Sequence, residues 1–315
     1  MKYREMGKSG IKVSVIGHGT WAFGNDFFGE VDTDLGIKAI HQSLDLGVNL
    51  IDTAPGYGPN HEAELAVGKA LKGRRDQAVI STKCGIHRIF GEYVRCLSPA
   101  VVRQELENSL ARLGTDYIDF YMIHWPDLNF GIEDALDLLA QFKKEGKIRE
   151  AAVSNFSVEQ MEVARQKADI SSVQPPCSLF NRSSFENGVI PYCREHNIGV
   201  MTYGSLGGGI LTGKMTKPIV NSGKEQRSGF YDFFNEPMWT KCNKVIDVLR
   251  TVADAHNVPV AQVSINWVLE QPGVTCALMG STKPANAAQN AQAADWELTA
   301  GDLKLIDTAY AEIMG

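Results

Sequence analysis

The sequence predicts an α/β fold, a (β/α)8 TIM barrel formed by residues 1–315 as a single domain. Two observations predict it. Short β-branched or apolar runs alternate with longer stretches of helical period, the pattern of a parallel sheet wrapped by helices. Eight such runs occur, as a barrel requires, and no composition break between them reads as a linker. A doubly wound sheet would normally have fewer strands and a dinucleotide fingerprint.

In chain order, residues 2–6 and 11–15 flank the turn Gly7-Lys8-Ser9-Gly10 and read as a hairpin. The candidate barrel strands follow at 15–17, 48–51, 78–81, 118–123, 148–153, 172–173, 198–202 and 276–278. Pro99–Leu113 reads as an amphipathic helix, with Ser98 as N-cap and Pro99 at the first helical position. Residues 132–144 form another, stopped near Gly146. A third, 157–166, opens on Ser157 with Gln160 three residues on, a capping-box spacing. The glycine-rich polar stretch 204–237 after the seventh strand is expected to be structureless and functional, such as a lid.

Composition narrows the function. With 44% hydrophobic and 22% charged residues, the chain is neither collagen, nor disordered, nor a disulfide-stapled miniprotein. A net charge of −6 gives no global field for nucleic acid or an anionic membrane, so neither partner is expected. No apolar run approaches the ~20 residues of a bilayer span, and residues 1–6 lack the apolar core of a signal peptide. A cytoplasmic location is therefore expected. Cysteines at 84, 96, 177, 193, 242 and 276 form no Cys-x-x-Cys pair. They read as reduced thiols packed as small apolar side chains, and no metal is expected.

Three motif fragments fail on inspection. Residues 17–22 begin like Gly-x-Gly-x-x-Gly but lack the third glycine. Residues 208–214 match the start of a P-loop, but Met215 replaces the Ser or Thr that would hold magnesium, though Lys214 beside glycine amides still suits a phosphate. His61-Glu62 has no second histidine four residues after the first.

In a parallel barrel, chemistry sits where the strands end at their C-terminal face. Read in order, the candidate strands end in Asp52, Lys83, His124, Ser154-Asn155, Gln174 and Tyr203. Tyr57 lies in the loop after Asp52. A tyrosine with an ordinary pKa near ~10 is a poor acid at neutral pH; a lysine cation beside it stabilises tyrosinate. An aspartate keeps that lysine charged and placed, and a histidine can hydrogen-bond a carbonyl. Together they make a metal-free general acid for an oxygen that becomes an alcohol. That conversion also needs a hydride, which implies a nicotinamide cofactor.

Five segments, in order, make the chain resemble the aldo-keto reductases over essentially its whole length. They are Asp52-Thr53-Ala54-x-x-Tyr57-Gly58, Ser81-Thr82-Lys83, Ile123-His124-Trp125-Pro126, Ser154-Asn155-Phe156, and Gly280-Ser281-Thr282-Lys283-Pro284 with Asn290. Residues 206–214 place it nearest the bacterial branch similar to potassium-channel β subunits. The resemblance implies a hairpin at the barrel bottom, an extra C-terminal helix, and reduction of an aldehyde or ketone with NAD(P)H. It implies Tyr57 as general acid, Lys83 to lower its pKa, Asp52 to pair with Lys83, and His124 to orient the carbonyl. Ser154, Asn155 and Gln174 would hold the nicotinamide carboxamide, with Tyr203 stacked on its face. Gly204, Ser205, Leu206, Gly207, Gly208 and Lys214 would follow the pyrophosphate. Gly280, Ser281, Thr282, Lys283, Gln289 and Asn290 would hold the adenosine end, where a helix start suits a phosphate. Thr20, Trp21 and Asp52 complete the cofactor set.

Asn286 departs from the family pattern: many members carry there an arginine that grips the 2′-phosphate of NADP, a charge-assisted pair asparagine cannot make. Lys283, Thr282 or Arg227 are candidates to replace it, with NADP the preferred cofactor and NAD the alternative. Trp21, Phe23, Tyr57, His124 and Trp125 are the expected substrate pocket, aromatic walls that suit a small apolar or sugar-like carbonyl. The loop 85–97 adds His87, Arg88, Phe90, Tyr93 and Arg95, of which Arg88 or Arg95 could meet an anion. Two other functional classes compete. A cofactor-binding regulatory subunit with little turnover would need a partner surface. A glycoside hydrolase would need two carboxylates at strand ends, and only Asp52 is clearly there. A small aldehyde or ketone is the expected partner, with both a monomer and a homo-oligomer open.

Overall fold

The computed structural model describes residues 1–315 except Phe90, Gly91 and Leu128, and except the side chain of Ile89. The strands are β1 (Tyr3–Glu5), β2 (Lys12–Ser14), β3 (Ile16–Gly19), β4 (Leu50–Asp52), β5 (Val79–Cys84), β6 (Ile86–Ile89), β7 (Glu92–Arg95), β8 (Ile118–Ile123), β9 (Ile148–Ser154), β10 (Ser172–Gln174), β11 (Gly199–Thr202) and β12 (Cys276–Gly280). β3, β4, β5, β8, β9, β10, β11 and β12 close a barrel in that order, β12 pairing back onto β3. All eight pairings are parallel. The predicted (β/α)8 barrel is therefore the fold, and strand 118–123 has the predicted bounds.

The helices in chain order are α1 (Thr33–Asp45), α2 (Glu62–Leu71), α3 (Pro99–Leu113), α4 (Glu133–Lys144), α5 (Val158–Ala168), α6 (Ser183–Glu186), α7 (Val189–Glu195), α8 (Arg227–Phe230), α9 (Met238–His256), α10 (Val260–Leu269), α11 (Pro284–Ala291) and α12 (Ala300–Met314). Their starts follow from capping chemistry. Asp32 accepts from the amides of Asp34 and Leu35 ahead of α1. Ser157 and Gln160 form the predicted capping box of α5, and Thr299 with Asp302 forms another on α12. Ser98 occupies the N-cap position of α3, but its side chain makes no capping bond, so Pro99 and the extended backbone set that boundary.

Strand alternation builds the site. Side chains two apart share a face, so Leu50 and Asp52 point the same way, as do Val79, Ser81 and Lys83, and Phe120 and Met122. The interior is apolar below, where Met6, Ile11, Val13, Leu50, Val79, Phe120, Met201 and Leu278 form one buried cluster. The inward positions nearer the strand ends are polar. The outward set, including Ile51, Ile80, Tyr121, Ile123, Val153 and Val200, packs with the helices in a second cluster. The β1–β2 hairpin contributes Met6, Ile11 and Val13 to the interior and so plugs one end.

Two expectations change. The loop 85–97 contains an antiparallel hairpin, in which β6 pairs β7 with Ile86 opposite Arg95 and Arg88 opposite Tyr93. The stretch 204–237 is not structureless: it holds a 3-10 turn over Gly207–Thr212, α8, and a second 3-10 turn over Asp232–Phe234. Phe233 and Phe234 are buried there, so four aromatics between 230 and 234 order a segment whose glycines and polar residues masked its packing.

Candidate active site

The barrel interior ends in a buried ion pair. Lys83 Nζ donates to both oxygens of Asp52 and to the Thr53 carbonyl, each at 2.9 Å. Lys83 is fully buried and Asp52 nearly so. Asp52 Oδ1 also accepts from Ser81 Oγ at 3.1 Å and from Gln174 Nε2 at 2.7 Å. A buried carboxylate with this many donors is held in one place. Burial pulls the Lys83 pKa down, and the Asp52 charge and hydrogen bond draw it back up.

Tyr57 caps this pair. Lys83 Nζ lies 4.9 Å from its ring centroid, and the His124 ring meets it edge-on at 5.7 Å. Burial, then the Asp52 charge, pushes the Tyr57 pKa well above 10. The net shift is upward where Lys83 alone would draw it down, because Asp52 already pairs with the lysine and desolvation dominates. His124 is driven well below its ordinary pKa, first by burial and then by the Lys83 and Arg95 charges, so it stays neutral at pH 7.

A cavity of about 290 Å³ opens above these groups. Tyr57, His124, Ser154, Asn155, Gln174 and Tyr203 line it, so the polar strand ends do converge. Ser154 Oγ donates to the Gln174 carbonyl at 2.7 Å, and Asn155 Nδ2 donates to the His124 carbonyl at 3.0 Å. Tyr203 OH donates to Asn155 Oδ1 at 2.9 Å. Asn155 has a φ of +59°, one of the few side chains that accept it readily. Trp21 and Trp125 form walls, joined by Gly56, Ile86, Tyr93, Arg95 and Phe230. Trp21 stacks on Phe27 at 4.6 Å and faces Tyr57 at 6.0 Å.

Two expected residues are placed elsewhere. Phe23 does not line the cavity; only 2% exposed, it packs against the His18 ring and under α1 at Gly36. The turn after β3 carries Trp21 outward and Phe23 inward, which sequence spacing does not show. Thr20 is fully buried and its hydroxyl donates to the Asp52 carbonyl at 2.9 Å. Phe230, which no sequence signal marked, enters the wall from α8 because that segment is ordered. Phe90 lies outside the described residues.

The remaining expected cofactor residues form a second group beyond the cavity, where β11 and β12 end side by side. Gly204, Gly207, Gly208 and Gly209 all have positive φ, and a Cβ on Gly208 would meet the Tyr231 ring at 2.8 Å. A left-handed run of this kind turns amide groups into an anion-binding concavity. Ser205 and Leu206 lie within it, Ser205 bonded to Thr202. Lys214 Nζ reaches Gln289 Oε1 at 3.3 Å. Arg227 donates to the Gly208 carbonyl at 2.6 Å and pairs with Glu225. Gly280, Lys283 and Asn286 are exposed, Thr282 is half-buried, and Ser281 and Asn290 are buried around the start of α11. The two groups suit the two ends of a nicotinamide dinucleotide: amides and a hydroxyl beside an aromatic ring at one, glycine amides and cations at the other.

The protein-family model described as "Aldo/keto reductase family" matches residues 15–311. The aldo-keto reductase YhdN of Bacillus subtilis is 38% identical over 98% of this chain and 93% of its own length. An NADH-specific methylglyoxal reductase of Escherichia coli is 34% identical over 97% of each chain. The solved structure of a glycerol dehydrogenase from Gluconobacter oxydans has a TM-score of 0.87 at 36% identity, over 96% of this chain and 93% of that one. The chain belongs to the aldo/keto reductase family, and its chemistry is carbonyl reduction with a nicotinamide cofactor.

Proposed function

We propose that this reductase protonates an aldehyde or ketone oxygen from Tyr57 and works best with NADPH. The observation that carries the reading is the buried Asp52–Lys83 pair beneath the Tyr57 ring, beside His124 at one cavity. The cofactor, when bound, supplies the hydride. The chain does the rest. A Tyr57 pKa well above 10 keeps the proton on the phenol until an oxygen with growing negative charge takes it. Lys83 then stabilises the tyrosinate left behind, while Asp52 holds Lys83 in place. Neutral His124 donates a hydrogen bond that orients the carbonyl. Ser154, Asn155 and Gln174 hold the carboxamide and Tyr203 stacks on the ring.

For NADPH the support is cationic: Lys283 is exposed at the start of α11, with Lys214 and Arg227 nearby in the glycine-rich group. Asn286 and the NADH-specific relative favour NADH as the second reading. We place the whole chain, residues 1–315, in the cytoplasm as one functional unit, its six cysteines unpaired.

The test is a fluorescence titration with NADPH and NADH, followed by aldehyde-dependent oxidation at 340 nm. Tighter NADPH binding with turnover supports the reading, and tighter NADH binding reverses the preference. Binding of either nucleotide with no turnover on any carbonyl favours a regulatory subunit instead.

A further inference from the structure

The cavity wall holds one cation whose hydrogen-bond donors the proposed chemistry does not engage. Arg95, on β7, lines the cavity beside His124 and Trp125. Its guanidinium carbon lies 4.7 Å from the Trp125 ring centroid, a cation–π contact. Its one protein hydrogen bond among the described residues is a long one, from Nη1 to the Pro126 carbonyl at 3.4 Å. No carboxylate among the described residues pairs with it. Arg88, the other candidate, is engaged: it faces Asp26 at 3.4 Å and stacks on Tyr93 at 4.2 Å, outside the cavity lining.

The hairpin that carries Arg95 is tied at both ends. Glu105 Oε2 accepts from the Gly85 amide at 2.8 Å, the Cys96 amide returns to the Gly85 carbonyl at 3.1 Å, and Asp127 Oδ2 accepts from the Leu97 amide at 3.0 Å. Asp127 follows His124-Trp125-Pro126 directly in the chain. Arg95 is thus referenced to the same segment as His124. An arginine over an aromatic face with one long hydrogen bond keeps most of its N–H donors available, and a guanidinium fork takes a carboxylate or phosphate bidentately.

We propose that Arg95 is a specificity residue that binds an anionic group on the substrate, so that this reductase prefers aldehydes carrying a carboxylate or phosphate over neutral ones. The proposal rests on the reductase reading above. Trp21, Tyr93, Trp125 and Phe230 line the space around it, which suits an apolar spacer between carbonyl and anion.

The test compares 4-carboxybenzaldehyde with its neutral methyl ester, and glyceraldehyde 3-phosphate with glyceraldehyde. For the wild-type chain, kcat/KM for the anionic member should exceed that for its neutral partner by about tenfold or more, through KM. Arg95→Met should bring the ratio close to one, and Arg95→Lys should keep part of it. Raising the salt concentration should lower the wild-type ratio. The carboxylate and phosphate pairs report separately, so a preference in one alone names the anion. Turnover of the neutral aldehydes with a ratio near one in the wild type, or a ratio unchanged in Arg95→Met, overturns the proposal and leaves the reductase reading standing. No turnover of any aldehyde overturns both.

Discussion

The barrel carries two antiparallel hairpins of similar size at opposite ends, and they do different work. β1–β2 sends Met6, Ile11 and Val13 into the barrel interior, where all three are buried. β6–β7 presents Ile86, Tyr93 and Arg95 to the cavity, and β7 is exposed along its length. The same backbone pattern serves stability at one end and recognition at the other. The side-chain alternation decides which: an apolar inward face fills space, and a mixed one meets a ligand.

The largest effect is expected from Tyr57→Phe, at the mouth. Removing the proposed acid should cut kcat by about 10²–10⁴-fold, with nucleotide affinity and thermal midpoint nearly unchanged. Steady-state kinetics beside a melting curve checks this, and a large loss of midpoint would place Tyr57 in the structural class. At the other end, Met6→Ala should cost about 3 kcal/mol of stability by leaving a cavity in the interior cluster. Denaturant unfolding measures it, and kcat of the folded protein should hold.

A smaller effect is expected at Glu105, the anchor of the upper hairpin. Burial raises the Glu105 pKa to about 8 against an ordinary 4.5. The groups facing it are the Gly85 amide, Cys84, His87, Glu64, Arg112 and Tyr121. The folded state binds this proton more tightly than the unfolded chain. Its contribution is therefore full below pH 4.5 and falls as pH rises towards 8. Between pH 5 and 8 the wild type should lose stability relative to Glu105→Gln, read as diverging thermal midpoints. The smallest effect belongs to the rim: Arg88→Gln should cost about 1 kcal/mol, because its half-buried ion pair with Asp26 is long at 3.4 Å. A larger loss would mean that the two hairpins are more alike than their faces suggest.

Much of the fold and the inner site was legible in the sequence. Parallel strands covered on both faces read as near-continuous apolar runs, as in Ile118–Ile123. The positions at their ends are polar because the barrel places them at one mouth, so Asp52, Lys83, His124 and Ser154 stand out along the chain. The hairpin β1–β2 carries its own turn signal in Gly7-Lys8-Ser9-Gly10, and Gly7 adopts a φ of +55°. The hairpin β6–β7 has weaker punctuation, the glycine at 91 between two mixed four-residue runs, and it reads as a loop.

Local sequence pattern carries what repeats with a short period: the eight strands, the capping box of α5, and the inward row of polar strand ends. Where the irregular chain lies depends on long-range packing. It turned Phe23 into the core beside His18, brought Phe230 from a segment more than two hundred residues after Trp21 onto the same wall, and left Arg95 rather than Arg88 without a carboxylate partner among the described residues. It also set the Tyr57 pKa by burial, upward, where the neighbouring lysine alone implied the opposite sign. Local periodicity fixes which face a side chain takes on a strand or helix; loop direction and desolvation depend on contacts between residues far apart in the chain.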